Sequence, residues 1–179
     1  RRAGWNVDIR LAFPEEECAE LTRKKLQSLR DAPDSWHRHL ADGTWAGGPC
    51  HSIVLDGLLG LGARELLREP LRTAAQEINR LRREENAFVF AVDLPTGLNG
   101  DSGETDPEDC IIADVTVTIG FAKHGLILDS ALDFVGRLEV VPLADLLVSE
   151  NAANEFIATP HSLQPLLRRS KFSSYKNEF

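Results

Sequence analysis

Methionine is absent from these 179 residues, cysteine is scarce, and no long apolar run occurs. The three cysteines, Cys18, Cys50 and Cys110, are odd in number and never stand in a C-x-x-C spacing. A disulfide framework is therefore not expected, and the thiols read as buried side chains in a reducing, cytoplasmic setting. The five histidines, His37, His39, His51, His124 and His161, make no zinc-ligand spacing with the cysteines. His37 and His39 stand two apart, which does not bring them together on a helix. No stretch approaches the roughly 20 apolar residues of a membrane span, and the opening residues do not read as a signal peptide. Positive charge is in the minority, with 20 Lys and Arg against 28 Asp and Glu, a net charge of −8. That balance argues against nucleic acid or an anionic membrane as the main partner. A small anionic ligand held by backbone N–H groups remains compatible with it.

What is present is ordinary for a soluble globular domain: 42% hydrophobic and 27% charged residues. The opening Arg1-Arg2-Ala3-Gly4-Trp5 reads as a helix end running into a strand, so a preceding segment is expected. Residues 7–13 alternate apolar and polar up to Pro14, the pattern of a strand with one less buried face. Residues 15–32 carry Cys18, Leu21, Leu26 and Leu29 near helical spacing. Acids open that stretch and bases crowd its later half, as the helix dipole favours. A short helix is expected over 34–42, capped by Asp34 or Ser35, and a Gly/Pro loop over 44–50. Residues 52–56 form an apolar run closed by Asp56. Pro70 suits the first turn of a helix over 71–85. Further strands are expected over 87–92, 113–119 and 138–141, with a polar turn region over 99–107. Alternating strands and helices with near-continuous apolar strands argue a mainly parallel sheet buried under helices. The expected class is α/β, a three-layer α/β/α Rossmann-like domain spanning residues 1–148. From about Ser149 the pattern dissolves, and residues 149–179 read as a linker toward another domain.

Asp56 and Asp93 each follow an apolar strand and precede a Gly-bearing turn. Parallel strands would present both at their carboxyl ends, the edge where open α/β sheets bind ligands. A strand-end aspartate also commonly caps its own turn. Gly60-Leu61-Gly62 resembles the start of a phosphate-binding turn, but Glu65 stands where a third glycine would complete G-x-G-x-x-G. The oxygens around Asp93 and Thr96 suit a hard cation. Lys123, beyond the strand ending at Ile119, could meet a phosphate or carboxylate. The acids Asp101, Glu104, Asp106, Glu108 and Asp109 read as a solvated turn without calcium-loop spacing.

Four linked motifs are more specific. Asp56-Gly57-Leu58-Leu59-Gly60-Leu61-Gly62 with Leu67-Arg68-Glu69-Pro70, Ala91-Val92-Asp93-Leu94-Pro95-Thr96-Gly97-Leu98, Asp101-Ser102-Gly103-Glu104, and the run from Ala113 to Gly120 with Lys123 and Gly125 follow in order. Together they resemble the NAD(P)H-hydrate epimerase family, the YjeF N-terminal domain. The resemblance implies an isomerase that interconverts the R and S epimers of hydrated NADH or NADPH, so that a dehydratase can repair the damaged cofactor. It implies that Asp93 handles the proton and contacts the ligand. It implies that Gly60, Leu61, Gly62, Ala63, Arg64, Glu65 and Leu66 form the ligand loop, with Lys123 on the substrate side. Asp56 and Thr96 match potassium-site positions, Thr96 standing where many relatives have Ser. Residues 169–179 resemble the junction into the dehydratase half of bifunctional forms, so that partner is expected on the same chain; a homo-oligomer is left open. The family's first strand and its N-N-G-G-D loop, which adds a cation ligand, would precede Arg1. A carboxyl group partly shielded from water can have a raised pKa, and a nearby monovalent cation would oppose that shift, so the sequence leaves its sign open. The rival is a non-catalytic nucleotide-binding or interaction module of the same fold. A dehydrogenase is disfavoured by the missing third glycine and the lack of a ribose-reading acid.

Overall fold

The computed structural model describes residues 7–31, 52–61 and 66–143. The expected helix over 34–42, the loop over 44–50, Gly62 through Glu65 and the linker lie outside the described residues. By its contacts the chain divides into two compact units, Arg1–Pro142 and Leu143–Phe179. All the elements below belong to the first.

Four strands make one sheet: β1 (Ile53–Asp56), β2 (Phe88–Val92), β3 (Val115–Ile119) and β4 (Arg137–Val141). They are hydrogen-bonded in sequential order, and every pairing is parallel. The β-branched and aromatic runs I-V-L, F-V-F-A-V and V-T-V-T-I supply the pleated surface. This is the α/β, Rossmann-like class expected from the sequence.

Helix α2 (Leu71–Glu85) joins β1 to β2. Its bounds match the expectation: Pro70 precedes it, and Asn86 ends it in the left-handed conformation at φ 53°. Leu71, Ala75, Ile78 and Leu81 recur at helical spacing and turn one face inward. Ala75 and Leu81 are buried, and burying a leucine contributes about 1.5–3 kcal/mol. The polar flank of the helix stitches it to the long β2–β3 connection. Arg72 Nε and Gln76 Nε2 donate to Asp109, at 2.7 and 3.1 Å. Asn79 donates to Cys110 O and accepts from Ile112 N, at 2.8 and 2.9 Å. Arg82 bonds Asp114, whose other carboxyl oxygen accepts Val89 N at 2.8 Å. These bonds hold in place a connection that contains no helix of its own.

Register assigns the sheet's two faces. Val54, Asp56, Val89, Ala91, Thr116, Thr118 and Leu138 share one face. Over it lie two adjoining cores. Leu67, Ala75, Val89, Ala91, Ile111 and Ala113 form one. Leu94, Leu98, Cys110, Leu126, Ala131 and Val135 form the other, with Val135 at the end of the short helix α3 (Leu132–Val135). The opposite face presents Ile53, Leu55, Phe88, Val92 and Ile119 as exposed side chains. Burial therefore alternates along β1, β2 and β3 instead of running continuously as expected, because the described elements that cover the sheet pack on one face.

The N-terminal segment departs from the expectation. Residues 7–13 carry a single bridge residue, Ile9, rather than a strand. The expected 15–32 helix is broken: a 3₁₀ turn at Glu15–Glu17 precedes helix α1 (Glu20–Asp31). Within α1, Leu26 is buried but Leu21 is exposed. Cys18 and Cys110 are free thiols, and burial pushes the Cys110 thiol up to about 12, so it stays protonated and inert. Among the described residues, no helix is long and apolar enough to cross a membrane.

Candidate active site

The carboxyl ends of β1, β2 and β3 meet at one edge. Asp56 is the last residue of β1, and Asp93 follows β2 directly. The two strands are neighbours in register, Asp56 opposite Ala91. Both acids therefore lie at the same edge of the sheet.

Asp56 is fully buried and engages a hub. Its Oδ1 accepts from Thr96 Oγ1 at 2.7 Å and from Leu58 N at 3.2 Å, and its Oδ2 accepts from Thr96 N at 2.8 Å. Thr96 Oγ1 in turn accepts from Leu59 N at 3.2 Å. The capping reading of a strand-end aspartate holds here. Asp56 caps its own turn, and through Thr96 it fastens the 57–61 loop to the 93–97 turn. Burial raises the Asp56 pKa, and the bonds from Thr96 and Leu58 only partly offset that.

Asp93 has a backbone that few side chains accept, with φ at 74°. Its N–H still continues the ladder to Val117 O at 2.9 Å. Its Oδ1 meets Lys123 Nζ, Ile119 N at 3.1 Å and Thr118 Oγ1 at 3.4 Å. Its Oδ2 faces Gly60, where an added Cβ would lie 3.8 Å away. Burial pushes the Asp93 carboxyl up, but Lys123, the Ile119 N–H and Thr118 together outweigh it and hold it below the usual range. The sequence leaves the sign of this shift open; in the structure it is downward, so at neutral pH Asp93 is a carboxylate.

The K-x-G spacing has a steric cause. A Cβ on Gly125 would sit 2.3 Å from Asn99 O. Only glycine lets this segment press against the 99–100 turn, where Gly125 N donates to Gly100 O at 2.7 Å. That approach carries Lys123 over the end of β3. The start of the acidic turn is local, Asn99 Oδ1 accepting from Asp101 N and Ser102 N, but Asp109, read with it as solvated, is buried because Arg72 and Gln76 of α2 bond its carboxylate.

Of the ligand-loop residues, Gly60, Leu61 and Leu66 are described and exposed; Gly62, Ala63, Arg64 and Glu65 lie outside the described residues. Lys123 lies at the edge, but its ammonium is directed to Asp93 rather than outward. Thr118 was not singled out from the sequence. Its signal was there: Thr116 and Thr118 are polar residues on the core face of an otherwise apolar strand. Among the described residues, no three His, Cys, Asp or Glu side chains gather as a metal-binding group.

A parallel α/β sheet with a strained, hydrogen-bonded carboxylate at its carboxyl edge defines a domain of the Rossmann-like kind. The model of the YjeF-related protein N-terminus matches residues 1–125, and the chain belongs to that family. It is similar to the bifunctional NAD(P)H-hydrate repair enzyme Nnr of Methanopyrus kandleri, 36% identical over 134 residues, covering 69% of this chain and 25% of that protein. It is also similar to the Archaeoglobus fulgidus protein of the same name, 51% identical over 74 residues, 41% of this chain and 15% of that protein. The NAD(P)H-hydrate epimerase of Rhodopirellula baltica is 39% identical over 95 residues, 53% of this chain and 37% of that protein. The chain thus spans well under half the length of these relatives.

Proposed function

We propose that this chain is the epimerase part of an NAD(P)H-hydrate repair enzyme, interconverting the R and S forms of hydrated NADH or NADPH. The observation that carries the proposal is Asp93: a carboxylate in a strained backbone, one oxygen fastened and the other facing the Gly60 loop. Strained non-glycine residues at a ligand edge cluster at functional sites.

The chemistry asked of it is modest. The hydrated carbon bears both a hydroxyl and the ring nitrogen. Asp93 takes the hydroxyl proton, a carbonyl forms, and the C–N bond breaks with its electron pair going to nitrogen. Nitrogen takes the proton from Asp93. Rotation about the bond to the carbonyl carbon and reclosure on its other face reverse these steps and give the other epimer. No electron leaves the ligand, and no oxidant or reductant is needed.

The loop from Gly60 to Leu66 supplies backbone N–H groups for the diphosphate. Asp56 and Thr96 fit part of a potassium site. They offer hard oxygens, and after the bonds above each side chain keeps lone-pair capacity for a cation. A cation there would offset the cost of burying the Asp56 charge and attract the anionic ligand. The remaining ligands would come from elsewhere. A dehydratase domain on the same chain is the proposed partner, a reading supported by the relatives named bifunctional repair enzymes.

The test is to give the full-length protein one purified hydrate epimer and follow the epimer ratio by chromatography. Rapid equilibration to a mixture is expected. Ligand binding with equilibration no faster than the spontaneous rate would replace the proposal with a non-catalytic binding module.

A further inference from the structure

We infer that Lys123 and Thr118 form a positioning device that ties down Oδ1 of Asp93 and leaves Oδ2 as the oxygen that exchanges the proton. An ammonium group has three donors and no acceptor. Lys123 Nζ directs them to Asp93 Oδ1, to Thr118 Oγ1 at 2.9 Å and to Ile119 O at 3.0 Å. No donor remains for a ligand phosphate, so Lys123 acts on the ligand through Asp93.

Thr118 is the link. It is fully buried, and its hydroxyl accepts from Lys123. Its own hydrogen then points to Asp93 Oδ1 or to Phe121 O, at 3.4 and 3.3 Å. With Ile119 N at 3.1 Å, Oδ1 is faced by three donors. Among the described residues, Oδ2 accepts no hydrogen bond, and it lies on the Gly60 side. A proton is received by the oxygen with free lone pairs. The low Asp93 pKa agrees with this geometry. The pair is also shielded, with side-chain exposures of 11% for Lys123 and 19% for Asp93, so the arrangement is not dissolved by solvent.

The inference rests on the epimerase proposal only for its kinetic arm. In the full-length protein, Thr118→Val keeps the side-chain shape and removes the hydroxyl, while Thr118→Ser returns the hydroxyl without the methyl. Thr118→Val should lower kcat for hydrate epimerisation about tenfold or more, with KM within about twofold of the parent. Thr118→Ser should recover most of that loss. The second arm needs no turnover: the carbon-13 NMR signal of the Asp93 carboxyl is titrated in the parent, in Thr118→Val and in Lys123→Met. The parent midpoint should lie below the ordinary aspartate range and rise in both variants, more in Lys123→Met. If the Asp93 carboxyl titrates alike in parent and Lys123→Met, or if Thr118→Ser is as impaired as Thr118→Val, the device does not exist. A parent with the low midpoint but no epimerisation would overturn the functional proposal and leave the positioning intact.

Discussion

Replacing Asp93 by asparagine separates its chemistry from its structural work. Asparagine is one of the few side chains that adopts left-handed backbone readily, so φ near 74° survives the change. It also keeps an oxygen that accepts from Lys123, Ile119 N and Thr118. What is lost is the charge. A hydrogen bond to a charged group contributes about 1.5–3 kcal/mol and a neutral one about 0.5–1.5, so Asp93→Asn should cost about 1–1.5 kcal/mol. For a domain of this size that lowers Tm by roughly 2–6 °C. The rate should fall much further, by about 10²–10⁴-fold, because an amide cannot take the proton. Stability should also vary with pH in a defined direction. The Asp93 pKa is lowered by folding, so its contribution is fully present above the ordinary value of 3.8 and disappears as pH falls through the folded value. The stability gap between parent and variant should therefore be constant above pH 3.8 and close below it. The assays are epimer-ratio kinetics, ligand binding by calorimetry, and urea unfolding at several pH values. Parent-like turnover in Asp93→Asn would refute the proton role. Weakened binding with an unchanged maximal rate would make Asp93 a binding group only.

Two further outcomes follow from the same edge. Thr96→Val removes the hydroxyl that Asp56 Oδ1 accepts and leaves Leu59 N without its acceptor, inside a buried hub. It should cost about 2–4 kcal/mol in denaturant unfolding, and a cost below about 0.5 kcal/mol would mean the hub contributes little. Gly60→Ala places a methyl 3.8 Å from Asp93 Oδ2, without a close contact. The variant should fold with parent-like stability and lose about tenfold or more in kcat/KM; parent-like kinetics would show that ligand does not approach Oδ2 from that side.

The sheet and α2 were legible because their signals are local. Pro70, four apolar residues at helical spacing and Asn86 bound α2, and the β-branched runs mark β2 and β3. The placement of Asp56 and Asp93 at one edge was legible because parallel strands put every strand end of one sense together. Residues 7–13 misled because alternation describes a side-chain pattern, while a strand also needs a partner ladder. Alternating burial was hidden for a similar reason: Val-, Phe- and Ile-rich strands look the same whether one face or both are covered. The sign of the Asp93 pKa shift was hidden because it depends on Lys123, 30 residues away in sequence, and on a glycine that lets Lys123 approach. The carboxylate's partners are a property of the turn geometry after β3, which no motif states.

Strands β2 and β3 end in the same way, and the comparison isolates what Asp93 adds. The residue after β3 is Gly120, at φ 80°, and its N–H donates to Val141 O on β4 at 2.8 Å. The residue after β2 is Asp93, at φ 74°, and its N–H donates to Val117 O on β3 at 2.9 Å. Each strand thus leaves the sheet through a left-handed residue that makes one last bond to its neighbour. Glycine does this without a Cβ penalty, whereas a side chain there costs about 1–2 kcal/mol. An aspartate in the glycine-type position therefore carries a conformational cost that backbone geometry alone does not require. Its side chain offsets that cost through Lys123, Ile119 N and Thr118, all drawn from the end of β3 or the loop beyond it. The left-handed turn is also what aims the carboxylate across that strand end instead of back along β2. Strain and ion pair are parts of one arrangement: the turn brings Oδ1 to the lysine, and the lysine holds the turn with Oδ2 directed at the loop.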